Sequence, residues 1–110
     1  MKIPNHQAAH IAPAKLKDYL LSESHPIGRW KAKFFRGFGF DETNMDVLEQ
    51  GLKAIAQTED VKETEASPHG IKYVIQGKLA TPVGRVVQVD TVWIIEKGQE
   101  HPKFVTAFPA

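Results

Sequence analysis

The chain contains no cysteine, and no hydrophobic run is long enough to span a bilayer. Without cysteine there is no disulfide framework and no thiolate metal site, a pattern compatible with a reducing cytoplasm. The first residues, Met1–Gln7, lack the apolar run of a signal peptide. These absences predict a soluble, cytoplasmic protein that does not bind membranes, or one that is excised from or delivered by something larger.

The motifs of several enzyme classes are also missing. No glycine-rich phosphate loop follows a strand, and there is no HExxH or Gly-x-Ser-x-Gly sequence. The serines and histidines are too loosely spaced to argue for a hydrolase triad. His6 and His10 are four residues apart, but they lie in a polar segment that need not be helical. The sequence therefore predicts neither a metal site nor a cofactor.

What is present is enough apolar sequence for one compact domain, since 42% of the 110 residues are hydrophobic. The chain divides into a polar leader (1–11), a helical half (12–57) and a sheet half (58–110). Helices are predicted at 13–22, from Pro26 to the break at Gly37–Gly39, and from a capping arrangement at Thr43–Asp46 to about Gln57.

After Thr58 the pattern changes to extended segments separated by tight turns. Strands are predicted at Val61–Ala66, around Ile71–Ile75, at Val86–Glu96 and at Lys103–Phe108. Sequential tight turns indicate an antiparallel meander. The predicted fold is α+β, with three N-terminal helices packed on one face of a four-stranded antiparallel sheet.

Charge is distributed unevenly, although the net charge is only +1. Lys15–Arg36 holds six lysines and arginines against two acids, whereas Asp41–Glu65 holds eight acids and two lysines. A basic face attracts nucleic acid, and an acidic face repels it or binds a basic partner. Solvated helix faces are the plainer interpretation of the same pattern.

Lys31 stands where an amphipathic helix should be apolar. A turn of 100° per residue places Trp30, Phe34 and Phe38 on one side, with Phe35 a little further round and Lys31 within that arc. Arg29, Lys33 and Arg36 fall on the opposite, solvated face. Either Lys31 lays its methylenes over the aromatic rings and lifts its ammonium to water, or the ammonium points into a cleft as an anion-binding charge.

Four dispersed polar residues, His25, Lys31, Arg85 and Thr106, are the candidates for a site. His25 precedes the second helix, near the positive end of its dipole. Arg85 stands at the start of the long strand. Thr106 is predicted to share a strand face with Phe104 and Phe108, where its hydroxyl is either a functional group or bonded to a neighbouring backbone group. If the helices cover the sheet, these four side chains can converge on one cleft.

Eight segments carry a family resemblance: Lys15–Leu21, His25–Gly28, Lys31–Phe35, Gly39–Phe40, Gly70–Tyr73, Gly84–Arg85, Thr91–Ile95 and Val105–Pro109. Together they resemble a small bacterial family of uncharacterised domains, over nearly the whole chain. Membership of that family implies no activity.

A wider resemblance does imply one. Helices followed by a four-stranded meander ending in Val105–Pro109 are similar to the barnase, colicin and RelE-like ribonuclease superfold of bacterial toxins. Such enzymes cleave RNA without a metal, by activating a 2′-hydroxyl against the adjacent phosphate. The resemblance implies His25 as base or acid, Lys31 and Arg85 as a phosphate clamp, and Thr106 as a positioning hydroxyl.

For RNA binding, Arg29 is expected to contact the substrate, and Tyr73 or Trp93 to stack a base. A toxin of this kind implies a small cognate antitoxin or immunity protein as partner. The chain departs from better-known toxins because it lacks a strongly basic overall charge and a clear second histidine or glutamate on the strands for the acid/base pair. The alternative is a non-catalytic interaction module, immunity- or antitoxin-like, that binds another protein through a sheet edge or the basic helix.

Overall fold

A computed structural model describes residues 1–26 and 28–110 of the chain, and its fold is α+β. A single 3-10 turn, His6–Ala8, comes first. The longer elements are α1 (Pro13–Lys15, continued by a π-helical turn at Leu16–Leu20), α2 (Arg29–Gly37), α3 (Met45–Thr58), β1 (Glu63–Ser67), β2 (Gly70–Ala80), β3 (Val86–Glu96) and β4 (Lys103–Pro109). The last two helices, α2 and α3, precede the strands. Within the described ranges, no helix is both long and apolar enough to cross a membrane.

The four strands form one antiparallel sheet in the order β1-β2-β3-β4, as the tight turns predicted. β3 has the predicted bounds, and its valines and isoleucines suit a strand with neighbours on both sides. Trp93 anchors the face that the helices cover. Its ring packs edge-on against Phe104 at 5.3 Å, and its Nε1 donates to the hydroxyl of Thr91 at 2.8 Å.

The predicted first helix, 13–22, is wrong in detail. After one α-helical turn the chain widens to a π turn, in which the amide of Leu21 donates to the carbonyl of Leu16 at 2.8 Å. The extra residue in the turn buries Leu20 and Leu21 side by side. Tyr19 is left half-buried, with its hydroxyl directed to β4.

The buried face of α2 also differs from the predicted one. Ala32 and Phe35 are the buried residues of this helix, whereas Trp30 is 68% exposed. Arg36, predicted on the solvated face, is half-buried because its guanidinium donates twice to the carbonyl of Leu21 at 2.6 and 2.9 Å. The start of this helix was predicted near Pro26, and Ile27 lies outside the described residues.

α3 follows its predicted stripe, with Leu48, Leu52 and Ile55 buried against the sheet. Helix and sheet approach closely at Gly77, where an added Cβ would lie 2.8 Å from the Ile55 side chain. The predicted capping arrangement does not form. Asn44 precedes the helix, but its side chain accepts from the amide of Asp41 at 2.9 Å instead of capping α3.

The segment 1–11, predicted as a polar leader, is packed into the molecule. Ile3, Ala9 and Ile11 are buried in the main core. The amide of Phe104 donates to the carbonyl of His10 at 2.8 Å, which ties this segment to the start of β4. The segment therefore contributes apolar surface to the core.

A β-bulge in β4 decides which way Thr106 faces. Trp93 pairs with Phe104, but the preceding residue Val92 pairs with Thr106, so Val105 is an extra residue in β4. Phe104 consequently lies on the helix-covered face, while Thr106 lies on the opposite, open face of the sheet. The prediction that Thr106 shares a face with Phe104 is wrong for this reason.

Candidate active site

Three of the four residues predicted for a site lie around one side chain, Tyr19. The ammonium of Lys31 donates to the Tyr19 hydroxyl at 2.7 Å, and the hydroxyl of Thr106 lies 3.0 Å from the same oxygen. The ring of His25 meets the Tyr19 ring edge-on, with 5.0 Å between centroids. All four side chains are partly exposed. The π turn, the loop before α2, α2 itself and β4 thus bring one residue each to a solvent-accessible cluster.

The ammonium of Lys31 points into this cluster. It bonds the Tyr19 oxygen and lies 5.3 Å from the centroid of the Tyr19 ring. The structure thus places the ammonium against the Tyr19 phenol, and its role as an anion-binding charge stays a prediction. A hydrogen bond with an ionised donor is about twice as strong as a neutral one, so Lys31 holds the phenol firmly.

The electrostatics favour ionisation of Tyr19. Burial raises the pKa of the phenol, but hydrogen bonds with Lys31 and Thr106, together with the charges of Lys31 and Lys15, outweigh it and bring the pKa below its ordinary value. The ammonium of Lys15 lies 5.1 Å from the centroid of the ring. Two cations therefore lie near the phenol and help to lower its pKa.

His25 is held by the backbone that leads into α2. Its Nδ1 accepts a hydrogen bond from the amide of Gly28 at 3.0 Å, so the proton of the neutral ring is on Nε2. Gly28 also lies directly against the π turn, because an added Cβ would be 2.2 Å from the carbonyl oxygen of Tyr19. Gly28 thereby fixes the spacing between His25 and Tyr19.

The other predicted site residues lie elsewhere. Arg85 is exposed in the turn between β2 and β3, seven residues before the Val92 that pairs with Thr106, a separation of about 23 Å along an extended chain. It is therefore not part of the cluster. Tyr73 and Trp93 are 6% and 0% exposed on the helix-covered face, so neither ring can stack a base.

Arg29 is exposed in the first turn of α2, with its guanidinium 5.2 Å from the centroid of the Trp30 ring. Trp30, next to Lys31 in α2, carries an exposed indole. The sequence prediction had it on the apolar face of the helix.

A groove of about 400 Å³ on the open face of the sheet reaches Thr106. Val74, Val92 and Val105 supply apolar surface, and Glu63, Thr64, Glu65 and Lys72 complete the lining. The Tyr19 cluster therefore lies at the β4 end of a groove with an apolar floor and an acidic far wall.

Metal ligands are not grouped in the part of the chain that the structure describes, where no three histidine, aspartate or glutamate side chains lie together in a way that could hold an ion.

The sequence prediction missed Tyr19, the central residue of the cluster. Its spacing with Leu16 and Leu20 made it resemble a core position. A tyrosine hydroxyl that is buried needs a polar partner, and that requirement was the available signal.

Comparison with known proteins agrees with the predicted family resemblance. Residues 2–110 match the family model described as "Domain of unknown function (DUF6883)". The chain belongs to this family. Its description assigns the family no activity. A comparison with curated proteins gave no match.

Among solved structures, this DUF6883 domain is similar to a chain of the contact-dependent growth inhibition toxin–immunity protein complex from Klebsiella pneumoniae 342. The TM-score is 0.69 at 15% sequence identity, and the match covers 91% of this chain and 98% of that one. At this identity the likeness establishes a shared fold. That fold occurs in one chain of a toxin–immunity protein complex.

Proposed function

We propose that this domain is an endoribonuclease of bacterial toxin type that cleaves RNA by attack of a 2′-hydroxyl on the adjacent phosphate. One observation carries the proposal: Lys31 and Thr106 both contact the hydroxyl of Tyr19, beside His25, at the end of an open groove. The arrangement offers a proton acceptor, a proton donor and cationic charge at one point. These are the groups that phosphoryl transfer to a ribose hydroxyl needs.

Tyr19 and Lys31 serve as base and acid of this reaction. The Tyr19 phenolate takes the proton of the 2′-hydroxyl, O2′ bonds to phosphorus, and the bond from phosphorus to O5′ breaks. Lys31 gives a proton to the leaving O5′, and the products are a 2′,3′-cyclic phosphate and a 5′-hydroxyl. Transfer of the proton from Tyr19 to Lys31 along their 2.7 Å hydrogen bond then restores the starting state.

The two other residues, Thr106 and His25, orient the reacting groups. Thr106 donates to the phenolate and keeps its oxygen aligned. His25 orients the Tyr19 ring, which its own ring meets edge-on, while its Nδ1 accepts from the amide of Gly28. The scissile phosphate lies at the Lys31 end of the site, because the far wall of the groove carries Glu63 and Glu65 and repels it.

A small cognate protein that holds the enzyme in check is the expected partner. The structural neighbour comes from a complex of a toxin with an immunity protein, and its fold supports the same pairing here. The acid-rich segment Asp41–Glu65, which includes α3, is the surface we assign to a partner other than RNA, since like charge disfavours a polyanion.

Incubation of the purified protein with total RNA in chelator, read on a denaturing gel, tests this proposal. The wild type should cleave and leave 2′,3′-cyclic phosphate ends, while Tyr19→Phe, Lys31→Ala and His25→Ala should stay folded by circular dichroism and lose cleavage. Lys97→Ala, an exposed lysine in the β3–β4 turn, is the matched control and should cleave normally. Equal cleavage by the wild type and Lys31→Ala would overturn the assignment.

The second candidate is a non-catalytic, immunity-like module. The matched complex contains both a toxin and an immunity protein, so the shared fold supports an immunity-like role as well as a toxin-like one. Expression in a bacterial host separates them. Growth arrest by the wild type, relieved by Lys31→Ala, supports the enzyme, whereas harmless expression together with no RNA cleavage supports the module.

A further inference from the structure

We propose that the outer face of α2 is an RNA-binding surface in which Trp30 stacks a nucleobase and Arg29 and Lys33 contact the phosphates beside it. The inference rests on the proposed function, and it names a contact surface separate from the Tyr19 cluster.

The exposed indole of Trp30 is the first observation. The side chain is 68% exposed, although a tryptophan in a small domain is usually well covered. Trp93, by contrast, is 0% exposed in the core. A large flat ring left in water on a regular helix is a stacking platform for any base, because every base has a π-face.

The charges around Trp30 favour a polyanion. The guanidinium of Arg29 lies 5.2 Å from the centroid of the indole, and Lys33, one helical turn further on, is exposed. Both line a groove of about 670 Å³ with Trp30, and Gly37 leaves its far end without a side chain. Glu23 is the acid in that lining, and it lies 3.4 Å from Arg36, so these two charges offset each other.

The position of this surface suits a substrate that enters the proposed site. Trp30 and Lys31 are consecutive on α2, so their side chains diverge by about 100° from almost the same height on the helix axis. Lys31 reaches the Tyr19 cluster, while Trp30 faces the outer groove. A strand whose scissile phosphate meets Lys31 can therefore place a neighbouring base on Trp30.

Binding of a 2′-O-methyl RNA oligonucleotide to the wild-type protein tests the surface without cleavage, because this probe has no 2′-hydroxyl to attack. The probe should quench tryptophan fluorescence, and Trp30→Phe should remove most of the quenching, since the remaining Trp93 is buried. Trp30→Ala should weaken binding about tenfold or more. Lys33→Ala should lower the salt dependence of binding by about 0.7 in the log–log slope, while the control Lys97→Ala should lower it less.

Unchanged affinity and quenching in Trp30→Ala would overturn the inference. If Trp30→Ala leaves binding unchanged and the wild type still cleaves RNA, the proposed RNA-binding surface is rejected and the proposed function stands. If the wild type neither binds the probe nor cleaves RNA, both fail. Quenching of Trp30 by a co-expressed protein and not by the probe would assign the surface to a protein partner and likewise overturn the inference.

Discussion

The ammonium of Lys31 and the phenol of Tyr19 form a 2.7 Å hydrogen bond that joins α2 to the π turn of α1. Thr106 extends this contact to β4 at 3.0 Å. A hydrogen bond from an ammonium lowers the pKa of a phenol, because it stabilises the ionised form. Here both Lys31 and Thr106 contribute to this effect on Tyr19. The bond therefore links the packing of three elements to the ionisation of one side chain.

The first prediction concerns the ionisation of Tyr19. Lys31→Met should raise the pKa of the phenol, because it removes both a hydrogen bond and a nearby positive charge while burial remains. Ultraviolet absorbance of tyrosinate during a pH titration measures this directly, and Tyr19→Phe identifies which of the two tyrosines titrates first. Lys33→Met, on the exposed side of the same helix, is the control and should leave the titration unchanged.

The same pKa shift predicts how stability depends on pH. The pKa of Tyr19 is lower in the folded state than in the unfolded chain, so the phenolate stabilises the fold fully above the unfolded value of about 10. This contribution is lost as the pH falls through the folded value. The difference in unfolding free energy between wild type and Tyr19→Phe should therefore grow from neutral pH towards pH about 10. Urea unfolding at a series of pH values measures it, and a constant difference would contradict the shift.

Much of the fold could be predicted because the spacing of apolar residues along the chain indicates which segments form helices and which form strands. β3 is a valine- and isoleucine-rich run bounded by turns, and α3 repeats apolar residues at Leu48, Leu52 and Ile55. The π turn at Leu16–Leu20 could not be predicted, because the same apolar residues fit an ordinary helix. Tertiary packing of Leu20 and Leu21 selects the wider turn.

The candidate site was predicted in part for an equally physical reason. Lys31 can be singled out because a cation interrupts an apolar arc, and a misfit of that kind is visible in the sequence. Tyr19 was missed because it fits such an arc. The convergence with Thr106 depends on the bulge at Val105, and a bulge leaves no clear periodic signal in a seven-residue strand.

Gly28 is predicted to be a positioning residue of the site. In Gly28→Ala the new methyl group would lie 2.2 Å from the carbonyl oxygen of Tyr19, so the π turn and the loop before α2 must separate. Overpacking of this kind costs about 1–3 kcal/mol. Urea unfolding measures the loss, and a rise in the pKa of Tyr19 would show that the cluster itself has opened. Gly37→Ala is the control, because no atom lies within 4 Å of its added Cβ.

Arg36 in α2 is predicted to stabilise the fold by binding Leu21, where the loop that leads into α2 begins. Its guanidinium donates to the carbonyl of Leu21 and to Glu42, and Glu23 lies 3.4 Å away. The pKa of Arg36 is raised, first by its hydrogen bond with Glu42. Arg36→Met keeps the apolar stem and should still lower the unfolding free energy by about 1.5–3 kcal/mol, because the Leu21 carbonyl loses its charged donors. Thermal unfolding followed by circular dichroism measures this, with Lys33→Met as the exposed control.

The last prediction separates the cluster from the residue that the sequence wrongly added to it. Thr106→Val keeps the shape of the side chain but removes the hydroxyl that contacts Tyr19, so RNA cleavage should slow about tenfold. Arg85→Ala should change the rate by no more than about twofold, because Arg85 is exposed in the distant β2–β3 turn. Initial rates on one RNA substrate, with folding checked by circular dichroism, compare the two. A larger loss in Arg85→Ala than in Thr106→Val would mean that the phosphate binds near the β2–β3 turn, and the site centred on Tyr19 would have to be abandoned.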